Sequence, residues 1–196
     1  VHPVAIGIGE RTEFPNRSGP AMNAHPESYR HNRLIHRIIE ESLSSAIKEY
    51  ARGILIDIGC GIKPYGRLTE SLVTMHIGID HPGTAHENKN IDLFASAYHT
   101  GLADHCADTI LSTFVLEHME RPEDALREMY RILKPGGNVI LTAPLFWHLH
   151  EEPRDFYRYT RHGLGYLLTL SGFRVLQIKP LSGFIVTFIQ ELCYWI

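Results

Sequence analysis

The chain has 196 residues, of which 44% are apolar, and its formal net charge at pH 7 is −3. This length and composition are typical of one globular domain with a sizeable core, and they exclude a chain that is disordered throughout. Basic and acidic residues are interspersed rather than grouped, and with the slight negative charge this argues against nucleic acid as the main partner.

The distribution of cysteine and of apolar residues bears on where the protein works. The three cysteines are scattered and have neither metal-ligand spacing nor the density of a disulfide framework. The start of the chain lacks the apolar run, flanked by basic residues, of a signal peptide. No uncharged apolar run approaches the roughly 20 residues that a membrane-spanning helix needs. We therefore expect a cytoplasmic protein without a membrane span.

The chain begins with a segment that shows no periodicity. Residues 1–27 are rich in Gly, Pro, Asn and Arg, which predicts an irregular N-terminal arm. From Ser28 to Tyr50 apolar residues recur at intervals of three and four, which predicts an amphipathic helix that ends at Gly53. We expect residues 28–196 to form a single domain.

The remaining sequence alternates between short apolar runs and helical patterns. The β-branched run Ile54–Ile58 predicts a strand buried on both faces, as in the centre of a parallel sheet. Further strands are predicted at residues 73–79, 91–94, 108–115, 138–143 and 173–178. Helices are predicted after Pro64 to about Leu72, at residues 122–133, and from a cap at Thr160 to about Leu170. This alternation predicts a doubly wound, mostly parallel α/β sheet.

The carboxyl ends of the predicted strands carry the candidate ligand site. Asp57 is followed by Gly59 and Gly61, which permit a sharp turn with positive φ and close approach of a ligand to the backbone. Pro64 suits the first turn of a helix. Asp80 ends the next strand, where an acidic side chain accepts hydrogen bonds from both hydroxyls of a ribose.

Two features of this site are not typical of a dinucleotide site. The pattern G-x-G-x-x-G would require glycine at position 64, where the chain has Pro64. Asp57 would repel a pyrophosphate and suits a cationic ligand instead. S-adenosylmethionine carries a ribose, an ammonium and a sulfonium but no phosphate, so its charges agree with the site. A nicotinamide-dependent oxidoreductase is the alternative interpretation.

Four motifs occur in order along the chain: D-x-G-x-G at 57–61, Asp80, STFVLEH at 112–118, and LKPGG at 133–137. Together they resemble the successive motifs of the class I S-adenosylmethionine-dependent methyltransferases, and in particular the methyltransferase type 11 group. The resemblance extends from about Tyr29 to Phe173. It implies a Rossmann-like fold, S-adenosylmethionine as cofactor, and methyl transfer to a small or medium-sized acceptor, either a small molecule or lipid-like.

The resemblance also implies a set of cofactor-binding residues. These are Asp57, Gly59, Gly61, Asp80, Ser96, Ala97, Phe114, Tyr29 and Arg30. The glycines would lie under the methionine part, Asp57 would hold its ammonium, and Asp80 would bind the ribose. Ser96 and Ala97 stand where the family has an Asp-Ala pair against adenine, and Ser96 is the weaker acceptor. Phe114 would line the methyl-donor side, while Tyr29 and Arg30 would reach the methionine carboxylate.

A second resemblance concerns the loop after the predicted fifth strand. Residues 148–160 (HLHEEPRDFYRYT) are similar to a run found in one subset of the family, so we expect residues 144–160 to form an acceptor-side lid. For a hydroxyl acceptor, His150 and His118 are the candidate bases, with Glu151 behind them. The cluster of His148, His150, Glu151 and Glu152 raises the question of a metal ion. No second cluster completes it in the sequence, and we predict no metal site.

The C-terminal end departs from the family pattern. The family's sheet ends with an antiparallel seventh strand, and no candidate for it follows residue 178. The apolar residues 182–196 are expected to form a packing or dimer helix, which makes a homodimer one expectation. A non-catalytic scaffold that keeps the methyltransferase fold is the second alternative.

Overall fold

A parallel five-stranded sheet organises residues 33–84 and 90–195, which are the part of the chain that the computed structural model describes. Its strands are β1 Ile54–Ile58, β2 Met75–Asp80, β3 Leu93–Phe94, β4 Ala107–Thr113 and β5 Leu133–Thr142. They lie in the order β3-β2-β1-β4-β5, and each adjacent pair is parallel. The order reverses between β1 and β4, and the predicted doubly wound α/β fold is confirmed.

Helices cover the sheet on both faces. They are α1 Arg33–Tyr50, α2 Gly66–Thr69, α3 Pro122–Ile132, α4 Arg161–Leu170 and α5 Phe184–Trp195, with a 3-10 turn at Leu116–His118. No described helix is long and apolar enough to cross a membrane. The predicted arm at residues 1–27 and the predicted helix start at Ser28 lie outside the described residues.

Successive side chains of β1 face opposite layers of the core, as the pleat of a strand requires. Leu55 packs with Ile39, Leu43 and Ile47 of α1. Ile56, the next residue, packs on the other face in a cluster that contains Leu126, Met129 and Ile132 of α3. Because β1 is buried on both faces, its continuous apolar run is explained.

Asp108 joins the amino-terminal ends of three neighbouring strands. Its Oδ2 accepts a hydrogen bond from the N–H of Ile54 at 2.9 Å, and Lys134 Nζ donates to both carboxylate oxygens at 2.8 Å. Lys134 belongs to the L-K-P-G-G motif, so this motif lies at the edge of the sheet opposite the carboxyl ends. Its contacts here hold strands together rather than line a ligand site.

Several predicted boundaries differ from the structure. The predicted sixth strand at residues 173–178 is wrong: this segment is irregular and makes no ladder with β5. It follows a C-terminal cap of α4, in which Gly172 N–H donates to Thr169 O and Phe173 N–H donates to Leu168 O. Phe173 still packs against the core layer that contains α3, but beyond it Leu176 is 57% exposed.

Smaller corrections concern the ends of three other elements. The fifth strand begins at Leu133 rather than at residue 138, because the chain pairs with β4 directly after α3 and the register shifts between Ala107 and Thr109. The second strand begins at Met75, and α2 ends at Thr69 rather than at Leu72.

Candidate functional site

The turn after β1 is held tightly between the carboxyl ends of β2 and β4. Gly59 and Gly61 adopt positive φ angles of 72° and 49°. The N–H groups of Gly59 and Cys60 donate to the carbonyl of Ile79 at 2.8 and 3.1 Å. A Cβ added at Gly59 would collide with the side chain of Val115, which follows β4. Glycine is therefore required at position 59 both by its backbone angle and by this close approach.

Asp80 lies against this turn. Its Oδ2 accepts the N–H of Gly61 at 2.8 Å, and its Oδ1 accepts the N–H of His81 at 2.7 Å. An ionised carboxylate has about four lone-pair sites, so each oxygen keeps one for another donor. The carboxylate can thus order the glycine turn and still accept hydrogen bonds from the two hydroxyls of a ribose.

Asp57 is 2% exposed and forms a buried pair with His76 of β2. Its Oδ2 lies 3.1 Å from His76 Nε2, while its Oδ1 has no hydrogen-bond partner among the described residues. Burial raises the pKa of Asp57, and the hydrogen bond and charge of His76 oppose this shift. The contact of Asp57 with a ligand ammonium stays a prediction.

Thr69 fixes the orientation of the His76 ring. The Thr69 hydroxyl donates to Gly66 O at 2.9 Å and lies 2.9 Å from His76 Nδ1. Because its proton is given to the carbonyl, the hydroxyl accepts from Nδ1–H. Sequence reasoning missed this pair; the available signal was a polar residue inside a strand that was predicted to be buried, which needs a partner.

Lys63 and Asp92 form a second connection that sequence reasoning missed. They are joined by an ion pair, and Asp92 also accepts the N–H of Gly78 at 2.7 Å. A Cβ at Gly78 would collide with the side chains of Lys63 and Cys60. The glycine turn therefore packs directly on the backbone of β2.

Ser96 and Ala97 lie beside Asp80, because Ala95 N–H donates to the carbonyl of Asp80 at 3.0 Å. The Ser96 hydroxyl accepts the N–H of Tyr98 at 3.2 Å, so it stabilises the local turn. Ala97 packs against the core layer that contains α3. The structure thus brings both residues to the same edge as the acid, and their contact with adenine stays a prediction.

Phe114 directly follows β4 in a left-handed conformation, with φ of 55°. Its N–H is held by Thr142, whose Oγ1 and carbonyl oxygen lie at 3.1 and 3.2 Å. This conformation is costly for a bulky side chain and is typically found at functional sites. The two other predicted cofactor residues, Tyr29 and Arg30, lie outside the described residues.

The three residues predicted to be catalytic are brought together by the lid. His118 and His150 have ring centroids 4.9 Å apart in an edge-on arrangement. His118 Nε2 lies 3.8 Å from Glu151 Oε2, and His118 Nδ1 lies 2.6 Å from the carbonyl oxygen of Arg154. The lid is attached to the 3-10 turn by backbone bonds, since Phe156 N–H donates to Glu117 O at 2.9 Å.

Glu117 is the least expected member of this region. Its side chain is fully buried, and neither carboxylate oxygen has a hydrogen-bond partner among the described residues. Burial raises the pKa of Glu117 to about 8. The sequence places Glu117 in the STFVLEH motif, but a motif does not reveal whether a side chain is buried. The burial of Glu117 could therefore not be predicted.

His150 is positioned by a buried acid. Its N–H donates to Asp155 Oδ2 at 2.9 Å, and its Nδ1 lies 3.3 Å from the same oxygen. Arg158 Nη1 and Nη2 donate to the two oxygens of Asp155 at 2.5 and 2.8 Å. Burial alone would raise the pKa of Asp155, but the hydrogen bonds from Arg158 and His150 lower it to about 2. Burial and the nearby His118 lower the pKa of His150.

A glycine turn and an acid at the carboxyl edge of a doubly wound sheet are typical of nucleoside-binding α/β proteins. Residues 56–141 match the family model described as "Methyltransferase domain". A tRNA (carboxymethyluridine(34)-5-O)-methyltransferase of Arabidopsis thaliana is 29% identical over 104 residues, which is 50% of this chain and 25% of that protein. The matched stretch thus covers only a quarter of that relative's length.

Solved structures agree with this match at the level of the fold. A S-adenosylmethionine-dependent methyltransferase of Archaeoglobus fulgidus has a TM-score of 0.60 and 17% identity, covering 86% of this chain and 90% of that one. Another, of Thermotoga maritima, has a TM-score of 0.57 and 23% identity, covering 76% and 78%. The predicted resemblance is confirmed: residues 56–141 match a methyltransferase domain, and the fold is that of solved S-adenosylmethionine-dependent methyltransferases. The cofactor that this match implies is S-adenosylmethionine. These matches do not favour the oxidoreductase or scaffold alternatives.

Proposed function

We propose that this chain transfers a methyl group from S-adenosylmethionine to a small or medium-sized acceptor, either a small molecule or lipid-like. The observation that carries the proposal is Asp80, whose carboxylate orders the Gly61 turn and keeps one lone pair on each oxygen. The slight negative charge of the chain is our reason for preferring such acceptors, although the Arabidopsis relative is named for a tRNA substrate.

On the cofactor side, the residues of this chain would bind and orient. When bound, S-adenosylmethionine supplies a methyl group that is already activated by a sulfonium. Asp80 would hold the ribose, and Oδ1 of Asp57 would face the ammonium directly or through water. The main task of the protein is then alignment of the acceptor with the methyl group. The remaining predicted contacts, at Ser96, Ala97 and Phe114, belong to the same proposal, as do those at Tyr29 and Arg30.

On the acceptor side, the lid at 144–160 supplies the candidate chemistry. An extended groove runs along β5 from the lid to residues 134–137, and its lid end is lined by Phe114, Glu117, His150 and Tyr157. The aromatic lining of this end suits a medium-sized or lipid-like acceptor. For a hydroxyl acceptor, His150 and His118 would take the proton, with Glu151 beside His118.

The predicted organisation of the chain is part of this proposal. It comprises an arm at residues 1–27, a single domain at 28–196, a cytoplasmic location and a homodimer. Several apolar side chains of α5 are exposed, among them Phe184, Ile185 and Phe188, and a second copy that covers them would form such a dimer. Sedimentation of the full chain measures its mass directly; a single monomeric species at all concentrations would contradict the dimer.

The first prediction tests the role of Asp80. Asp80→Ala should weaken binding of S-adenosylmethionine by roughly 1–3 kcal/mol, or about 5–150-fold, because the ribose hydroxyls and the Gly61 N–H lose their acceptor. Asp80→Asn keeps an oxygen for Gly61 and should fall between the wild type and the alanine variant. Calorimetry with S-adenosylmethionine, S-adenosylhomocysteine and a nicotinamide dinucleotide provides the measurement.

Asp124→Asn is the matched control for this experiment. Asp124 lies on α3, where its partially exposed carboxylate pairs with Arg121 at 2.8 Å, so its loss should leave cofactor affinity unchanged. Unchanged affinity in Asp80→Ala would remove Asp80 from the ribose role. Binding of the dinucleotide alone would overturn the proposed function.

A further inference from the structure

We propose that Glu117, His118 and His150 form a binding site for a divalent transition-metal ion. Each of the three offers one ligand atom, and these atoms all lie within 4.8 Å of one another. Glu117 and His118 come from the 3-10 turn after β4, and His150 comes from the lid. The cluster therefore joins two segments that are about thirty residues apart in the sequence.

The burial of the Glu117 carboxylate favours the binding of a cation at this site. The side chain is 1% exposed, and both oxygens lack a hydrogen-bond partner among the described residues. A buried carboxylate is costly unless it is paired or coordinates a metal. The nearby Arg158 does not satisfy it, because its guanidinium donates to Asp155 and to the carbonyls of Trp147 and His148.

The hydrogen bonds of the two histidines leave the second ring nitrogen of each for a metal. Nδ1 of His118 lies 2.6 Å from a backbone carbonyl oxygen, which can only accept, so Nδ1 carries the proton and Nε2 a lone pair. Nδ1 of His150 lies 3.3 Å from both the carbonyl oxygen of His148 and Oδ2 of Asp155, which assigns its proton in the same way. A histidine that binds a metal usually donates its other N–H to a carbonyl or a carboxylate.

The donor set indicates the class of ion. One carboxylate and two imidazoles suit Zn²⁺, Mn²⁺, Fe²⁺ or Co²⁺, whereas Mg²⁺ and Ca²⁺ prefer oxygen ligands alone. Three protein ligands leave coordination positions open, as in catalytic rather than structural metal sites. If the proposed methyl transfer holds, the two imidazoles coordinate the ion when it is bound and do not act as bases. An acceptor hydroxyl bound at an open position would then lose its proton more readily because of the ion.

The proposed site contradicts the prediction from the sequence that the chain has no metal site. That prediction considered only lid residues, His148, His150, Glu151 and Glu152. In the structure His148 pairs with Glu191 of α5 at 3.3 Å, and Glu152 is exposed. The missing second cluster is supplied by the turn after β4, which only the fold brings against the lid.

Titration of Co²⁺ into the chelator-treated full chain tests the site without any turnover. We expect saturable binding of one ion per chain by calorimetry, with the visible absorption of a protein-coordinated Co²⁺. Glu117→Gln and His150→Gln should each weaken binding at least about tenfold. Glu152→Gln, which removes an exposed carboxylate from the same loop, should bind as the wild type does.

Three outcomes would overturn the proposal: no saturable binding by the folded wild type, unchanged affinity in both ligand variants, or an equal loss in Glu152→Gln. Circular dichroism of each variant shows whether it is folded, and the wild-type titration stands without the variants. S-adenosylmethionine binding is measured separately on the metal-free chain. If S-adenosylmethionine binds but Co²⁺ does not, the metal site fails and the proposed function stands. If Co²⁺ binds but S-adenosylmethionine does not, the proposed function fails and the metal site stands.

Discussion

At the scale of a single residue, Glu117 lies in an environment that costs stability in the metal-free chain. Its carboxylate is buried without a hydrogen-bond partner among the described residues. Replacing an unpaired buried polar group by an apolar one of similar shape removes a desolvation penalty of about 1–3 kcal/mol. We therefore expect Glu117→Met to raise the free energy of unfolding of the metal-free protein by that amount, measured by urea denaturation.

The contrast with another buried glutamate provides the control. Glu128 of α3 is 6% exposed, but its oxygens accept hydrogen bonds from Thr100 and Arg131. Glu128→Met should destabilise the protein, since it leaves those donors unpaired. If Glu117→Met were destabilising to a similar extent, Glu117 would have a structural partner, which would contradict its proposed role as a metal ligand.

At the scale of an element, α4 shows how a local signal in the sequence sets a boundary. The prediction that Thr160 caps this helix is confirmed, because its side chain accepts the N–H of Gly163 at 3.0 Å. Thr160→Ala should lower the free energy of unfolding by about 0.5–2 kcal/mol, through loss of the cap. Thr160→Ser keeps the hydroxyl and should cost little. Equal losses in the two variants, measured by thermal denaturation, would show that the methyl group and not the cap is responsible.

The elements that the sequence predicted well are those whose signals are local. The run Ile54–Ile58 is a buried central strand, and the apolar face of α1 and the cap of α4 lie where their patterns place them. The segment 173–178 was predicted wrongly because its apolar residues are compatible with a strand but do not reveal whether a neighbouring strand pairs with it. Pairing depends on the path of β5 and of the chain beyond α4, which no window of sequence contains.

The same distinction holds for the candidate site. Asp80 and the glycines were predicted from their order after strands, and the fold brings them together at one edge. The Asp57–His76 pair and the cluster of Glu117 with His150 were not predicted as contacts. Both depend on segments that approach only in three dimensions: β2 beside β1, and the lid against the turn after β4.

At the scale of the whole molecule, a buried hydrogen-bond network ties α3 to the loop after β3. Thr100 donates to Glu128 Oε1 through its N–H and its hydroxyl, both at 2.7 Å. Arg131 donates to both oxygens of Glu128 at 2.8 Å and continues to the carbonyl of Leu102 and to Asp104. Hydrogen bonds from Arg131 and Thr100 outweigh burial and lower the pKa of Glu128 to about 2.

This low pKa predicts how the stability of the whole chain depends on pH. Because the folded-state pKa lies below the unfolded value of 4.5, the contribution of Glu128 is complete above about pH 4.5. It is lost as the pH falls towards 2, where the folded state also takes up the proton. Glu128→Gln should therefore be less stable than the wild type by roughly 1–3 kcal/mol at pH 7, and this difference should shrink progressively below pH 4.5.

Urea denaturation of both proteins at several pH values measures this difference. The contributions of the other titrating groups are the same in both proteins and therefore cancel. Glu123→Gln on the same helix is the matched control, because Glu123 pairs with Arg127 at the surface, where an ion pair contributes little. A gap between the wild type and Glu128→Gln that stays constant from pH 7 to pH 3 would show that the charge of Glu128 is not what holds α3 to the neighbouring loop. The hydrogen bonds of the side chain, without its charge, would then be enough to hold α3 to the loop. Acid denaturation of the chain would have to result from protonation of other carboxylates.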